Sequence, residues 1–289
     1  MANSIALSKV YTNLLDEVYQ QSALTAVLES DASLARQGAN ANEIVIPKLS
    51  MDGLADYSRN SGYVNGDVTL NWETVQFNYE RGRMFSVDNM DNEETQNIAF
   101  GRLAGEFIRT KVVPELDAFR FATYAATTGA GTATGALATG ADVIAALRTA
   151  TSAMDEAEVP MEDRHLFITP TLIGLVEDMD TTKSKEVLAR FASITKVPQT
   201  RFYSVIELLD GKSSGEEKGG YKKADLGVEL NFEIIHKPAV LQFTKHAVPK
   251  VISPEMNQDA DAWKYGYRNY GLCDTYENKA AGIYVHKRS

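Results

Sequence analysis

The sequence predicts an α+β fold organised around one long helix. Between residues 91 and 128, an Asp91 to Glu94 capping-box spacing is followed by apolar side chains at helical intervals, which indicates one continuous helix. The preceding segment, 43–90, alternates with a period of two, a pattern typical of strands. Both periods recur after the helix, so helices and strands are expected to mix in the second half of the chain. The apolar positions of the predicted helix are Phe100, Leu103, Phe107 and Ile108.

Composition places the chain among ordinary globular proteins. Its 289 residues, 44% hydrophobic and 24% charged, suffice for one large or two moderate domains with buried cores. With 39 acidic against 29 basic side chains, the net charge of -10 argues against a sequence-reading nucleic-acid protein. The start, MANSIALSKV, is unlike a secretory signal, and no segment predicts a membrane helix. The single cysteine, Cys273, excludes an internal disulfide framework and is expected to be a small buried residue of a protein made in a reducing cytoplasm.

Residues 1–42 predict an N-terminal arm. Leucine and valine recur there at near-helical spacing, interrupted by a short polar stretch, which indicates one or two short amphipathic helices. Because these helices precede any obvious core, we expect their apolar faces to pack on the main body or on a neighbouring subunit.

Residues 43–90 predict a long hairpin. A first strand is expected to stop at Pro47, and a clear alternation from Val75 to Val87 indicates later strands. Gly, Asn, Ser and Tyr dominate residues 52–67, which suits an elaborate tip. A two-stranded ribbon with so few large apolar residues near its tip is marginal in water, so we expect it to rest on another surface. One face of the alternation carries Val75, Phe77, Tyr79, Arg81, Arg83, Phe85 and Val87.

The rest of the chain predicts a bent helix followed by a mixed region. Pro114 removes the helical hydrogen bond to Thr110 and should bend the long helix without ending it. The small, uncharged residues 125–140 predict a turn-rich connector, and the polar, Gly-rich residues 210–227 predict an exposed loop. The further expected elements are helices at 141–157, 170–178 and 183–191, and strands at 165–169, 201–208, 228–235, 240–243, 248–252, 263–270 and 281–286.

No catalytic, cofactor-binding or metal-binding residue is predicted. The chain has neither H-E-x-x-H nor G-x-S-x-G, and its four histidines are scattered over separate elements. Gly129 and Gly131 begin a G-x-G that lacks the third glycine of a dinucleotide site, and Gly211-Lys212-Ser213 lacks the earlier glycine of a P-loop. A soluble enzyme of mixed fold, whose site assembles only in space, is the alternative from a different class.

The order of these parts resembles the major capsid proteins of tailed bacteriophages. The stretch YSRNSGYVNGDVTLNWETVQFNYERGRMFSVDNMDNEET, at 57–95, is similar to that family's extended loop leading into its spine helix. The ending YGYRNYGLCDTYENKAAGIYVH, at 265–286, is similar to its closing strands. Encapsulin shells share this fold, so an encapsulin-like nanocompartment shell is a second interpretation.

The resemblance implies a division of the chain into four parts. These are an N-terminal arm at 1–42, an extended hairpin loop at 43–90, a peripheral domain formed by the spine helix 91–128 with 246–289, and an axial domain at 129–245 whose protruding loop, 210–227, lies near the symmetry axes.

The resemblance also implies a structural role. Many copies, arranged as hexamers and pentamers, would close into an icosahedral shell around double-stranded DNA, a virion capsid assembled in the host bacterial cytoplasm. The implied partners are other copies of the chain, a portal, decoration proteins and packaged DNA contacted without sequence preference; no cofactor and no membrane are implied. Some family members carry an N-terminal scaffolding domain that has no counterpart in the numbered chain, so either a separate scaffolding protein or a removed propeptide is expected.

Three arginines are the predicted contacts between subunits. Arg59, Arg81 and Arg83 are expected to pair with acidic side chains of neighbouring copies, the alternative being surface arginines without a partner. Lys48 is the single lysine of segment 43–90 and lies at the base of the predicted hairpin rather than at its tip. Covalent crosslinking through a lysine of this loop, which some family members use, is therefore not expected.

Overall fold

The structure is a computed structural model that describes residues 23–30, 36–37, 43–60, 62–94, 98–179 and 181–289. Most of the predicted N-terminal arm lies outside these residues. Within the described part of the arm, the predicted helix is replaced by a short 3-10 turn, Leu24–Leu28, and a two-residue strand, β1 (Arg36–Gln37).

The extended hairpin pairs β2 (Glu43–Met51) with β3 (Val68–Gln76) in antiparallel register. The prediction that the first strand stops at Pro47 was wrong, because β2 continues through it. β1 pairs with Ile44 and Val45, and no other described strand pairs with this edge of β2 at the proline. A proline is tolerated where its missing N–H faces such an open edge.

The next strand, β4 (Tyr79–Asp88), confirms the predicted alternation and leads into α1 (Asn89–Glu94). Tyr79 and Val87 are buried, whereas Glu80 on the opposite face is exposed. One face of β4 therefore packs inward.

The predicted long helix is formed by α2 (Ile98–Phe107), a π-helical turn at Ile108–Val112, and α3 (Val113–Ala125), which follow one another without a break. The wider π turn directly precedes Pro114. A proline has no N–H to donate and its ring crowds the carbonyl four residues earlier, so a π turn is a common way to accommodate it. The helix continues through the proline, as predicted.

The second half of the chain contains a five-stranded sheet. Its strands are β5 (Gly131–Thr134), β6 (Arg164–Ile168), β7 (Ser193–Lys196), β10 (Leu230–His236) and β13 (Ile283–Lys287), in the order β5-β13-β10-β6-β7. The helices of this region are α4 (Gly140–Glu156), α5 (Pro170–Glu177) and α6 (Thr182–Leu188).

Both faces of this sheet are covered, which explains why β6 and β10 are buried at every position. On β6, Leu166 and Ile168 face the core formed with α4, α5 and α6, whereas Phe167 faces α3. Phe121 of α3 contacts Phe167 edge to face, with ring centroids 5.1 Å apart. The C-terminal end of the long helix is therefore part of the core of the second half.

Strand β5 corrects the prediction of a turn-rich connector at 125–140. It pairs in parallel with β13, and a Cβ atom at Gly131 would lie 2.4 Å from the Tyr284 ring. The small residues that suggested a loop thus allow close packing under an aromatic ring. The predicted helix after this connector is confirmed, with Thr139 and Asp142 forming its capping box.

The remaining strands complete two smaller sheets. They are β8 (Ile206–Leu209), β9 (Gly220–Lys223), β11 (Val240–Ile252) and β12 (Ala262–Thr275), with β11-β12-β4 forming one sheet and β8-β9 the other. The predicted strand at 201–208 begins only at Ile206, since Gln199–Arg201 is a 3-10 turn. The predicted loop 210–227 folds back on β8 through β9, so it is the end of a hairpin.

Candidate assembly interface

The base of the extended hairpin is anchored on the body. Ile44 and Ile46 of β2 are buried in a small cluster with Leu241 and Phe243 of β11 and Leu272 of β12. Further along the ribbon, residues 51–60 and 63–70 are all exposed. This outer part of the ribbon therefore faces solvent.

This outer ribbon exposes an unusual amount of apolar surface. Leu54 is fully exposed, and Tyr63 exposes 88% of its surface. Burying one large apolar side chain contributes about 1.5–3 kcal/mol. Burial of about half of the exposed apolar side chains of this ribbon would therefore supply on the order of 10 kcal/mol before the costs of association. Exposed apolar side chains concentrated on one hairpin are typical of an interaction site. These side chains are Met51, Leu54, Tyr57, Tyr63, Val64, Val68, Leu70 and Trp72.

The hairpin tip is ordered by its own contacts. Tyr57 and Tyr63 meet edge to face with ring centroids 4.8 Å apart. The N–H of Gly62 donates to the carbonyl of Ser58 at 2.8 Å, and Gly62 adopts a φ of 79° that favours glycine. Because this conformation exists before any partner arrives, binding costs less ordering entropy.

The tip is also weakly acidic. Between β2 and β3 it carries Asp52, Asp56 and Asp67 against the single base Arg59. The N–H of Asp67 donates to the Asp52 carboxylate at 2.8 Å, which closes the neck of the loop. Arg59 lies in the exposed part of the tip, and its predicted pairing with a neighbouring copy stays a prediction.

Arg81 contacts three elements of its own chain. Its Nε donates to the Glu115 carboxylate of α3 at 2.7 Å. Its Nη2 donates to the carbonyl of Leu209 at 2.7 Å and to that of Gly220 at 3.2 Å. The guanidinium therefore joins β4, α3 and the β8–β9 hairpin.

Arg83 makes a similar contact one step further along β4. Its Nη1 and Nη2 donate to the carbonyls of Lys218 and Glu217 at 3.0 and 2.9 Å. The structure thus brings Arg81 and Arg83 together on the β8–β9 hairpin, whereas Arg59 lies at the tip of the extended hairpin. The pairing of these three arginines with acidic side chains of a neighbouring copy stays a prediction. The signal for these intrachain contacts was present in the sequence, because the alternation places both residues on the inward face of β4 with Tyr79.

A further anchoring residue, Asp117, was missed by the sequence reasoning. It is fully buried on α3 and accepts hydrogen bonds from the N–H groups of Leu24 and Thr25 at 3.1 and 3.2 Å. It also accepts from the Thr25 hydroxyl at 2.8 Å and from the Arg201 guanidinium at 3.0 Å. These bonds fix residues 23–30 to the long helix. An acidic residue inside a helix carries no local signal of such a role.

The same segment is tied to β11 on its other side. The amide of Gln242 donates to the Thr25 carbonyl at 2.8 Å and to the Glu29 carboxylate at 2.9 Å. The Ser30 hydroxyl donates to the Val240 carbonyl at 3.2 Å. The residues just before β1 are therefore held between α3 and β11.

The described residues show little that suggests catalysis. No group of three or more His, Cys, Asp or Glu among them is arranged to hold a metal ion. Burial raises the pKa of the Cys273 thiol to about 12, so it is a weak nucleophile, and its predicted burial is confirmed. Burial also lowers the pKa of His165 and His286 on the five-stranded sheet. In the described part of the chain, no helix has the length and apolar character needed to cross a membrane.

Comparison with solved structures identifies the fold. The mature capsid of bacteriophage PhiM1 matches with a TM-score of 0.65 and 11% sequence identity over 98% of this chain and 92% of that one. The capsid structure of cyanophage P-SCSP1u matches with a TM-score of 0.62 and 12% identity, over 98% and 93% of the two chains. A virus-like particle from Pyrococcus furiosus matches with a TM-score of 0.53 and 11% identity, over 91% and 96%.

Sequence comparison adds nothing to these likenesses, since no protein-family model and no curated protein matches the chain. At such low identity the structural likeness concerns the fold, which extends over nearly the full length of the matched chains. The predicted α+β fold of phage capsid proteins, shared with the virus-like particle, is confirmed.

Proposed function

We propose that this chain, which has the fold of phage capsid subunits, is the major subunit of an icosahedral shell that encloses the double-stranded DNA of a tailed phage. The observation that carries the proposal is the set of exposed apolar side chains between Met51 and Trp72, on a hairpin whose base is buried against the body. A monomer gains nothing by holding such a surface in water. A shell subunit can bury it on the next copy.

The geometry of such a contact favours closed assemblies. A hairpin that docks on a different surface of the neighbouring copy makes a head-to-tail interface, and repetition of that interface closes into rings when the rotation permits. Hexamers and pentamers are rings of this kind. In this proposal the hairpin 43–90 is the extended loop, and a separate scaffolding protein, a portal and decoration proteins are the further partners.

The charge of the chain suits containment rather than recognition of DNA. A net charge of -10 disfavours strong binding of a polyanion, and a closed shell does not need such binding. The role is structural and non-enzymatic. An encapsulin-like nanocompartment is the second candidate, favoured by the match to the Pyrococcus virus-like particle over 91% of this chain.

Electron microscopy of the purified protein tests the proposal. We expect closed shells or rings from the wild-type chain, whereas small uniform globules would contradict it. Met51→Asp on the ribbon should abolish assembly without lowering the melting temperature of the free subunit, because Met51 is exposed. Met161→Asp is the matched control, since Met161 is similarly exposed but lies outside the ribbon. Assembly of the Met51 variant at wild-type yield would remove the hairpin from the interface.

Nucleic-acid content separates the two shell candidates. Particles purified from a phage infection should contain nuclease-protected double-stranded DNA if the proposal holds. Particles that enclose a protein cargo and no DNA would identify a nanocompartment instead. Strong, sequence-selective binding of DNA by the free subunit would contradict both.

A further inference from the structure

The β8–β9 hairpin requires an external support to hold its orientation. Among the residues that the structure describes, its two strands pair with each other and with no third strand, and an isolated two-stranded ribbon is marginally stable in water. The Tyr221 hydroxyl ties it to the Thr200 carbonyl of the preceding 3-10 turn at 2.8 Å. That bond connects the hairpin to neighbouring chain but not to the long helix.

Arg81 adds a hydrogen-bonded connection to the long helix, which β8 also approaches directly. Leu209 and Gly220 are opposite each other in the β8–β9 ladder, and the carbonyls of both accept from Arg81 Nη2. The same guanidinium is held from α3 by Glu115, which also accepts from the Tyr79 hydroxyl at 3.3 Å. One side chain of β4 therefore fixes both strands of the hairpin relative to the helix.

The loop of the hairpin is shaped around Arg83. A Cβ atom at Gly219 would lie 3.0 Å from Arg83 Nη1, and one at Gly211 would lie 3.3 Å from it. Both glycines also have a positive φ, 63° and 73°, which side chains rarely adopt. Two glycines thus allow the guanidinium to reach the carbonyls of Lys218 and Glu217.

These contacts link two parts of the molecule that the chain itself connects only distantly. β4 follows the extended hairpin in the chain and pairs with β12. β8 and β9 come between β7 and β10 in the chain, and these two flanking strands belong to the five-stranded sheet. We propose that Arg81 and Arg83, here called the arginine clamp, are positioning residues that fix the angle between the β8–β9 hairpin and the long helix and thereby set the curvature at which subunits meet. This inference rests on the proposed shell function and on the premise that the β8–β9 hairpin lies at a contact between subunits.

The arginine clamp has a direct consequence for particle size. The number of copies in a closed shell depends on the angle between neighbouring subunits, so a subunit whose hairpin can swing should build shells of other or mixed diameters. Arg81→Ala combined with Arg83→Ala removes the clamp. Arg268→Ala is the matched control, because Arg268 lies on the adjacent strand β12 and pairs with Glu80 on the exposed face of the sheet.

Two measurements test the inference. Hydrogen exchange of the unassembled subunit should show backbone amides of 206–223 exchanging faster by roughly tenfold or more in the double variant, with the control unchanged. Cryo-electron microscopy should show a shifted or broadened particle diameter for the double variant and the wild-type diameter for the control. Unchanged exchange, or faster exchange with the wild-type diameter, would overturn the inference.

A third variant tests the inference if the double variant does not assemble. If the double variant forms no particles, Arg83→Ala alone is examined, since it leaves the Arg81 contact with Glu115 in place. A changed diameter then supports the inference, and the wild-type diameter together with faster exchange overturns it. Failure of the wild-type chain to form shells would refute the proposed function, while the exchange measurement would still report whether the clamp holds the hairpin.

Discussion

Glu233 should make the stability of this protein fall as the pH rises. It lies in the middle of β10, directly opposite Phe167 of β6 and Val285 of β13, on the sheet face that packs against α3. Its side chain is fully buried, and neither carboxylate oxygen has a hydrogen-bond partner. Burial raises the pKa of Glu233 well above its ordinary value, against a smaller opposing effect of the Lys287 charge. The folded protein therefore keeps this carboxyl protonated.

Replacement of Glu233 by glutamine isolates this effect. In the unfolded chain the carboxyl loses its proton near its ordinary pKa of 4.5, whereas in the folded chain it retains it. Above that pH the folded state binds one more proton, so the free energy of unfolding falls by up to about 1.4 kcal/mol per pH unit until the raised pKa is reached. Glu233→Gln has nearly the same shape and no proton to release. The stability of the variant relative to the parent should therefore be independent of pH below about pH 4 and should rise by up to about 1.4 kcal/mol per pH unit above the ordinary pKa, until the raised pKa is reached.

Urea unfolding of the unassembled subunit measures this difference. Parent and variant are compared at pH 5, 6 and 7 and at one protein concentration, because assembly would stabilise both by mass action. Glu186→Gln on the exposed surface of α6 is the control and should parallel the parent. Parallel stability curves for the parent and Glu233→Gln would refute the reasoning, since they would mean that the buried carboxyl has a partner that stabilises its charge.

Three further outcomes are expected. Gly131→Ala should lower the free energy of unfolding by about 1–3 kcal/mol in urea titration, because the added methyl meets the Tyr284 ring at 2.4 Å; an unchanged value would mean that the ring moves aside freely. Thr139→Ala should cost about 1 kcal/mol in the same assay through loss of the cap that Thr139 shares with Asp142, and no loss would show that the cap contributes nothing. Mature particles boiled in detergent should run as an intact monomer on a gel, because Lys48 lies on β2 away from the tip; a ladder of covalent multimers would contradict this.

Hydrophobic periodicity in the sequence correctly predicted the long helix and strand β4, because this pattern depends on residues that are close together in the chain. The long helix was recognised from its apolar spacing, and its continuation through Pro114 is confirmed, whereas the predicted cap at Asp91 was wrong because α1 already begins at Asn89. The inward face of β4 was recognised from its alternation. Errors occurred where a residue type is compatible with two structures. Pro47 suggested a strand end but lies within β2, and the small residues at 125–140 suggested a connector throughout, although Gly131–Thr134 within them form β5.

The sequence by itself predicted the long helix, most of the strands in their order, the side of β4 that faces inward, and the presence of a hairpin too thin to form a core. Only the tertiary structure decided what the inward sides meet. Arg81 binds the Leu209 and Gly220 carbonyls, 128 and 139 residues away, and Asp117 binds the N–H of Leu24, 93 residues away. The periodicity of apolar residues shows which side chains share the buried face of a helix or strand, because it compares residues a few positions apart. The identity of the covering group depends on how distant elements pack, which no local pattern records.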